Sequence, residues 1–158
     1  MGICNTPGAN FIILKDYYQG KYNKADIKKE EREMIYTSYF AKIKELENNN
    51  IIPIAICAKL PGWYKGLQYK KLAPKYGFFM EWKKTHDNGC YTEHFQSEVL
   101  GSLDITSVLY DLADMLNDRA GQKDIALICY EKPTDFCHRH LVAGWLKENG
   151  TDCTEWGS

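Results

Sequence analysis

Cys137, His138 and Arg139 stand side by side in this chain of 158 residues: a nucleophile, a proton acceptor and a permanent cation in three consecutive places. A second thiol, Cys129, and a carboxylate, Glu131, lie a few residues upstream. A thiol next to an imidazole and a guanidinium, in the first turn of a helix, meets the conditions that lower a thiol pKa and make it a nucleophile. The leading amides of a helix have no intrahelical acceptor and carry a partial positive charge, so the same place favours a bound anion. In this reading Cys137 and His138 are the catalytic pair. Arg139, Glu131 and Cys129 complete the pocket, with Arg139 as an oxyanion or phosphate clamp.

Each residue also has a plainer reading. Cys137 is then an inert thiol packing a corner. His138 points to the core side of its helix, three and four residues before Leu141 and Val142, and bonds a backbone carbonyl. Arg139 pairs with Glu131, and the corner is only structural.

The elements that must position these residues are legible around them. Ile125, Ala126, Leu127, Ile128 and Cys129 form an unbroken apolar run, as in a strand covered on both faces. Lys132-Pro133-Thr134-Asp135 breaks it, and Thr134 or Asp135 is the expected N-cap of the following helix. Leu141, Val142, Trp145 and Leu146 repeat at helical spacing, with Gly150 as the C′ stop. Ligands in open α/β sheets bind outside the carboxyl ends of the strands, which is where this turn falls.

The rest of the chain reads as follows. Asn10–Leu14 is an expected first strand. Asp26 caps a long helix whose stripe is Met34, Ile35, Tyr39, Ile43 and Leu46, ending at Asn48-Asn49-Asn50. Ile51–Ala58 is a second buried strand, so the crossover is parallel. The long loop 59–76 leaves the carboxyl end of that strand, which brings Lys59 and Trp63 to the same side as Cys137. Phe78–Lys84 gives one or two helical turns. Tyr91, Phe95 and Val99 mark a helix to about Leu100. Asp104 caps the cleanest stripe in the chain, Ile105 to Leu116, which Gly121 ends. Residues 151–158 read as a tail that Trp156 pins. The fold class is α/β, a single three-layer domain over residues 1–158 with a small, mostly parallel sheet flanked by helices.

Composition narrows the function classes. A 44% hydrophobic chain of this length supports one core, and a net charge of −1 gives no global attraction to nucleic acid or membrane. The lysines are nevertheless uneven: Lys65, Lys70, Lys71, Lys75, Lys83 and Lys84 face only Glu81. With the interleaved aromatics they form either a solvated loop face or a stacking platform for nucleotides or nucleic acid. No membrane span and no signal peptide is expected, which points to the cytoplasm and to reduced thiols for the six scattered cysteines. His86, Cys90 and His94 have zinc-type donors at spacings of four, and Cys129 with Cys137-His138 could add ligands, but Asp87-Asn88-Gly89 interrupts the alignment, so no metal is expected. No glycine motif for nucleotide phosphates occurs and no cofactor is implied. An anionic small molecule is the expected ligand. The oligomeric state is not legible.

Cys129-x-Glu131 followed by Cys137-His138-Arg139 and an apolar helix resembles the signature of the "domain of unknown function 488" family, the YeaO-like proteins. Upstream, Leu72-Ala73-Pro74, Trp82, His86-Asp87, Tyr91, Phe95 and Glu98 resemble a second family segment. Lys75 stands there in place of the usual Ser and Val99 in place of Leu. The resemblance covers about Leu60–Leu146. It implies an α/β domain of intracellular, mostly bacterial proteins whose activity is unassigned, and it marks the Cys137 turn as a site.

Overall fold

The computed structural model describes residues 34–116 and 124–157. Five parallel strands form one sheet in the order β3-β2-β4-β1-β5: β1 (Ile35–Tyr39), β2 (Ile51–Ala55), β3 (Leu67–Gln68), β4 (Asp124–Cys129) and β5 (Cys153–Glu155). Five α-helices accompany them among the described residues: α1 (Ile43–Asn48), α2 (Tyr76–Thr85), α3 (Asn88–His94), α4 (Ile105–Met115) and α5 (His138–Glu148). A single α/β domain flanked by helices is what the sequence implied.

β4 is the middle strand, and its apolar run follows from that place. Ile125 and Leu127 join the large core with Ile52, Ile54 and Ile56 of the β2 segment, under Phe95, Leu112, Val142 and Leu146. Ala126 and Ile128 turn to the other face and meet Ala55, Leu46 and Phe40. The strand therefore has no polar face, since side chains alternate and both faces are covered.

Several expectations are corrected. The Asp26 helix cannot run through residues 35–39, because Ile35–Tyr39 is a strand with Ile35, Thr37 and Ser38 buried. Its stripe fits both periods. The β-branched and aromatic run Ile-Tyr-Thr-Ser-Tyr and a place between β4 and β5 favour the sheet. Among the described residues the helical part is a 3-10 turn at Phe40–Lys42 followed by α-helix at Ile43–Asn48. The tail is not a tail: Cys153–Glu155 adds the edge strand beside β1, and the Trp156 amide bonds the Thr37 carbonyl. Loop 59–76 holds β3 and a 3-10 turn at Lys70–Leu72. The helix from Tyr91 starts earlier, at Asn88, capped by Asp87, and passes into a π-helical turn at Phe95–Val99.

Other calls stand. The Asp104 carboxylate accepts from the Ser107 amide at the start of α4. Gly150 has φ +83° just past α5, and the Thr151 amide returns to the Leu146 carbonyl. Asn10–Leu14, Asp26 and Gly121 lie outside the described residues. Among the described residues no helix is long and apolar enough to cross a membrane.

Candidate functional site

β4 ends at Cys129, the chain turns through residues 130–136, and α5 begins at His138. The turn closes with the Asp135 amide on the Lys132 carbonyl. The N-cap is Cys137, with extended backbone, and neither Thr134 nor Asp135. A local turn inside Lys132–Asp135 uses up those residues before the helix starts. The Cys137 sulfur thus occupies the place where a helix N-terminus favours negative charge.

His138 is 5% exposed, and its Nε2 lies 2.8 Å from the Ile56 carbonyl. A carbonyl can only accept, so Nε2 carries a proton, and in the neutral ring Nδ1 is left as an acceptor. That nitrogen lies 3.9 Å from Cys129 Sγ and 3.9 Å from Cys137 Sγ. Ile56 is itself anchored by its amide on the Ile128 carbonyl, so the sheet fixes the ring's tautomer and aim. The plainer reading of His138 was right about one nitrogen and silent about the other.

The two sulfurs form a proton-sharing pair. The Cys129 thiol, hydrogen-bonded to Cys137, pulls the Cys137 pKa well below that of an ordinary thiol. His138 and the Arg139 amide act in the same direction, while burial opposes them. Cys129 moves the other way, first through the same hydrogen bond and then through burial. The pair loses its first proton from Cys137, and Cys129 holds the second. Glu131 Oε2 lies 3.4 Å from the Cys129 sulfur. Burial, then the charge on Cys137, raises the Glu131 pKa above the usual carboxylate range.

Arg139 has a different fate. It is fully buried, and a buried guanidinium without a partner costs several kcal/mol. The partner is Glu155 of β5, which corrects the expected pairing with Glu131. Arg139 Nη2 and Nε donate to Glu155 Oε1 at 2.6 and 3.0 Å, and Nη1 donates to the Glu131 backbone carbonyl. Thr37 Oγ1 also donates to Glu155, at 2.7 Å. Those donors are committed inside the protein, and Arg139 is not among the residues lining the cavity described next.

A cavity of about 530 Å³ is lined by Cys129, Cys137, His138 and Glu131, of which the two cysteines and the histidine are buried at its floor. That volume suits a small ligand. α2 and α3 supply an aromatic wall of Phe79, Trp82 and Tyr91, with Phe136 edge-on to Tyr91 at 5.2 Å. Lys59 and Lys83 bring positive charge. Trp63 is 64% exposed and packs edge-on against Phe40 and Tyr64, away from the cavity lining. Sequence reasoning missed Trp82 and Tyr91 as walls. Their helical spacing was visible, but which element they faced was not. It also missed Glu155, whose signal was a lone carboxylate in a short alternating run.

Among the described residues, Cys129, Cys137 and His138 are the thiol and imidazole donors that converge, within 4.8 Å of one another. By donor type they suit a soft metal, although three donors are one short of a closed tetrahedral site. His86, Cys90 and His94 do not converge. His86 ends α2 in a left-handed conformation, Cys90 is exposed, and His94 pairs with Glu98 at 2.7 Å.

Fold and site together define an α/β domain with a histidine-aimed pair of thiols at the carboxyl edge of a parallel sheet. The chain belongs to the DUF488 family: residues 54–150, more than half of its length, match the family model described as "Active DUF488-N3 subclade". No curated protein and no solved structure matches the chain.

Proposed function

We propose that this protein is a thiol-dependent enzyme in which Cys137 attacks an electrophilic centre of a small anionic molecule held in the cavity. The observation that carries the reading is the His138 ring, fixed at Nε2 by the Ile56 carbonyl so that Nδ1 faces both sulfurs. Nδ1 takes the proton as the thiolate forms, the Arg139 amide favours that thiolate, and the Cys129 thiol donates to it. The anion at the helix N-terminus is then the protein's own sulfur. The ligand's charge falls to Lys59 and Lys83, and its apolar body to the aromatic wall. The word "active" in the family description agrees with a working site. A reducing cytoplasm suits a site that needs two free thiols.

The test is residue-resolved alkylation against pH. Cys137 should react with iodoacetamide at a rate nearly flat across neutral pH, while free cysteine in solution, with a pKa of about 8.5, speeds up through that range. A Cys137 rate that rises in parallel with that of free cysteine refutes the nucleophile.

A second reading is a non-catalytic module for nucleotides or nucleic acid. It is favoured by Tyr76, 78% exposed beside Lys75 and close to Lys83 at the same cavity. Oligonucleotide binding that weakens steeply with salt would support it, and no binding at low salt removes it.

A further inference from the structure

The geometry points to thiol–disulfide exchange as the reaction, with Cys129 as the resolving thiol and the disulfide of an anionic small thiol as the substrate class. This rests on the nucleophilic reading of Cys137 and adds to it what the second sulfur does.

Three observations converge on Cys129. Its sulfur lies within 4.8 Å of Cys137 Sγ, so the two thiols are immediate neighbours. His138 Nδ1 is as close to Cys129 as to Cys137, 3.9 Å in each case, so one base serves both thiols in turn. Both residues line the same cavity, so a group bound to Cys137 sits beside Cys129. A site built for a single nucleophile would need only one sulfur in reach of that base. Cys57, the third thiol on the cavity, bonds the Lys59 carbonyl instead, and burial pushes it up to about 11.

The step balances with named partners. The Cys137 thiolate attacks one sulfur of R–S–S–R, forms the mixed disulfide and releases RS⁻, which takes from the imidazolium the proton that Cys137 gave up and leaves Nδ1 free. Cys129 then passes its proton to His138 Nδ1 and attacks Cys137 Sγ. The Cys129–Cys137 disulfide forms, a second RS⁻ leaves, and it takes the proton from the imidazolium. The protein dithiol loses two electrons, and the small disulfide gains them. A reducing thiol returns the pair to its starting state by the reverse sequence. Lys59 and Lys83 select carboxylate-bearing disulfides.

The experiment treats the full chain anaerobically with glutathione disulfide, which is anionic, or with cystamine, which is cationic, followed by peptide mapping. With glutathione disulfide the wild type should become lighter by two hydrogens, with a peptide linked through Cys129 and Cys137. Cys129→Ser should stop with one glutathione on Cys137, Cys129→Ala should do the same if the serine variant folds poorly, and Cys137→Ser should give neither product. Cystamine should react more slowly by roughly an order of magnitude. A wild type that accumulates the mixed disulfide as fully as Cys129→Ser overturns the resolving role and leaves the nucleophile intact. A Cys137 that alkylates readily yet resists both disulfides overturns the substrate class alone. If Cys137 neither alkylates nor exchanges, the enzyme reading falls as well.

Discussion

Cys137-His138 and Arg139 are neighbours in one helical turn, yet they belong to opposite kinds of structure. The first two face a cavity, with one histidine nitrogen spent on the sheet and the other turned to two sulfurs. The third is sealed, its donors spent on Glu155 and the Glu131 carbonyl. The difference teaches that a motif is read by the direction of each side chain. The guanidinium looked like the clamp for an anion and is the rivet that holds β5 to the corner. The thiol looked like filler or nucleophile, and its surroundings favour the thiolate.

The largest effect expected is on the reactive side. Cys137→Ser should abolish the pH-insensitive alkylation altogether and change stability by less than about 1 kcal/mol, as a near-isosteric change at a helix N-cap should. Activity lost together with the fold would merge the two regions. On the sealed side the pattern reverses. Arg139→Ala takes the guanidinium away from the largely buried Glu155 carboxylate and should cost roughly 3–5 kcal/mol in denaturant unfolding. Once the variant is folded, Cys137 alkylation should be nearly unchanged. A fold as stable as wild type would show that the pair is no rivet.

A smaller effect is expected at His138. His138→Gln keeps a donor to the Ile56 carbonyl but cannot hold a proton for the sulfurs. The Cys137 alkylation profile should move towards that of an ordinary thiol, by at least one pH unit. An unchanged profile would assign the thiolate to the helix terminus and Cys129 alone.

The mildest effect concerns the two inert buried thiols. Burial pushes Cys57 up to about 11 and Cys153 up to about 12, from an ordinary 9.0. The folded chain therefore holds these protons where the unfolded chain releases them. Their contribution to stability is complete below pH 9 and is lost as pH rises towards 11–12. Thermal unfolding between pH 8 and 11 should show a decline in the wild type that is shallower in Cys153→Ala. A decline of the same slope in that variant would contradict the assignment.

Sequence reading reached the strand–turn–helix corner because local signals agree there. The apolar run of β4, the Pro133 break, the stripe of α5 and Gly150 all point to one arrangement. It failed where the deciding contact is distant in sequence. Ile35–Tyr39 fits a helical stripe until the places of β4 and β5 are known. Cys153–Glu155 is too short to announce itself as a strand. The Arg139–Glu155 pair follows only once β5 lies beside β1. Thr134 and Asp135 were natural caps by residue type, but the tight turn at Lys132 placed the helix start two residues later. The donors of the proposed site were legible as residue types. Its aim was not, because the Ile56 carbonyl that orients His138 lies just past β2, far away in the sequence.

The most direct test of a Cys137 thiolate in the cavity is its ultraviolet absorbance, taken as the difference between wild type and Cys137→Ser across a pH titration. The account predicts the signal of one thiolate, already full at neutral pH and persisting well into the acid range. A difference signal that appears only as pH passes the ordinary thiol value of about 8.5 would contradict it.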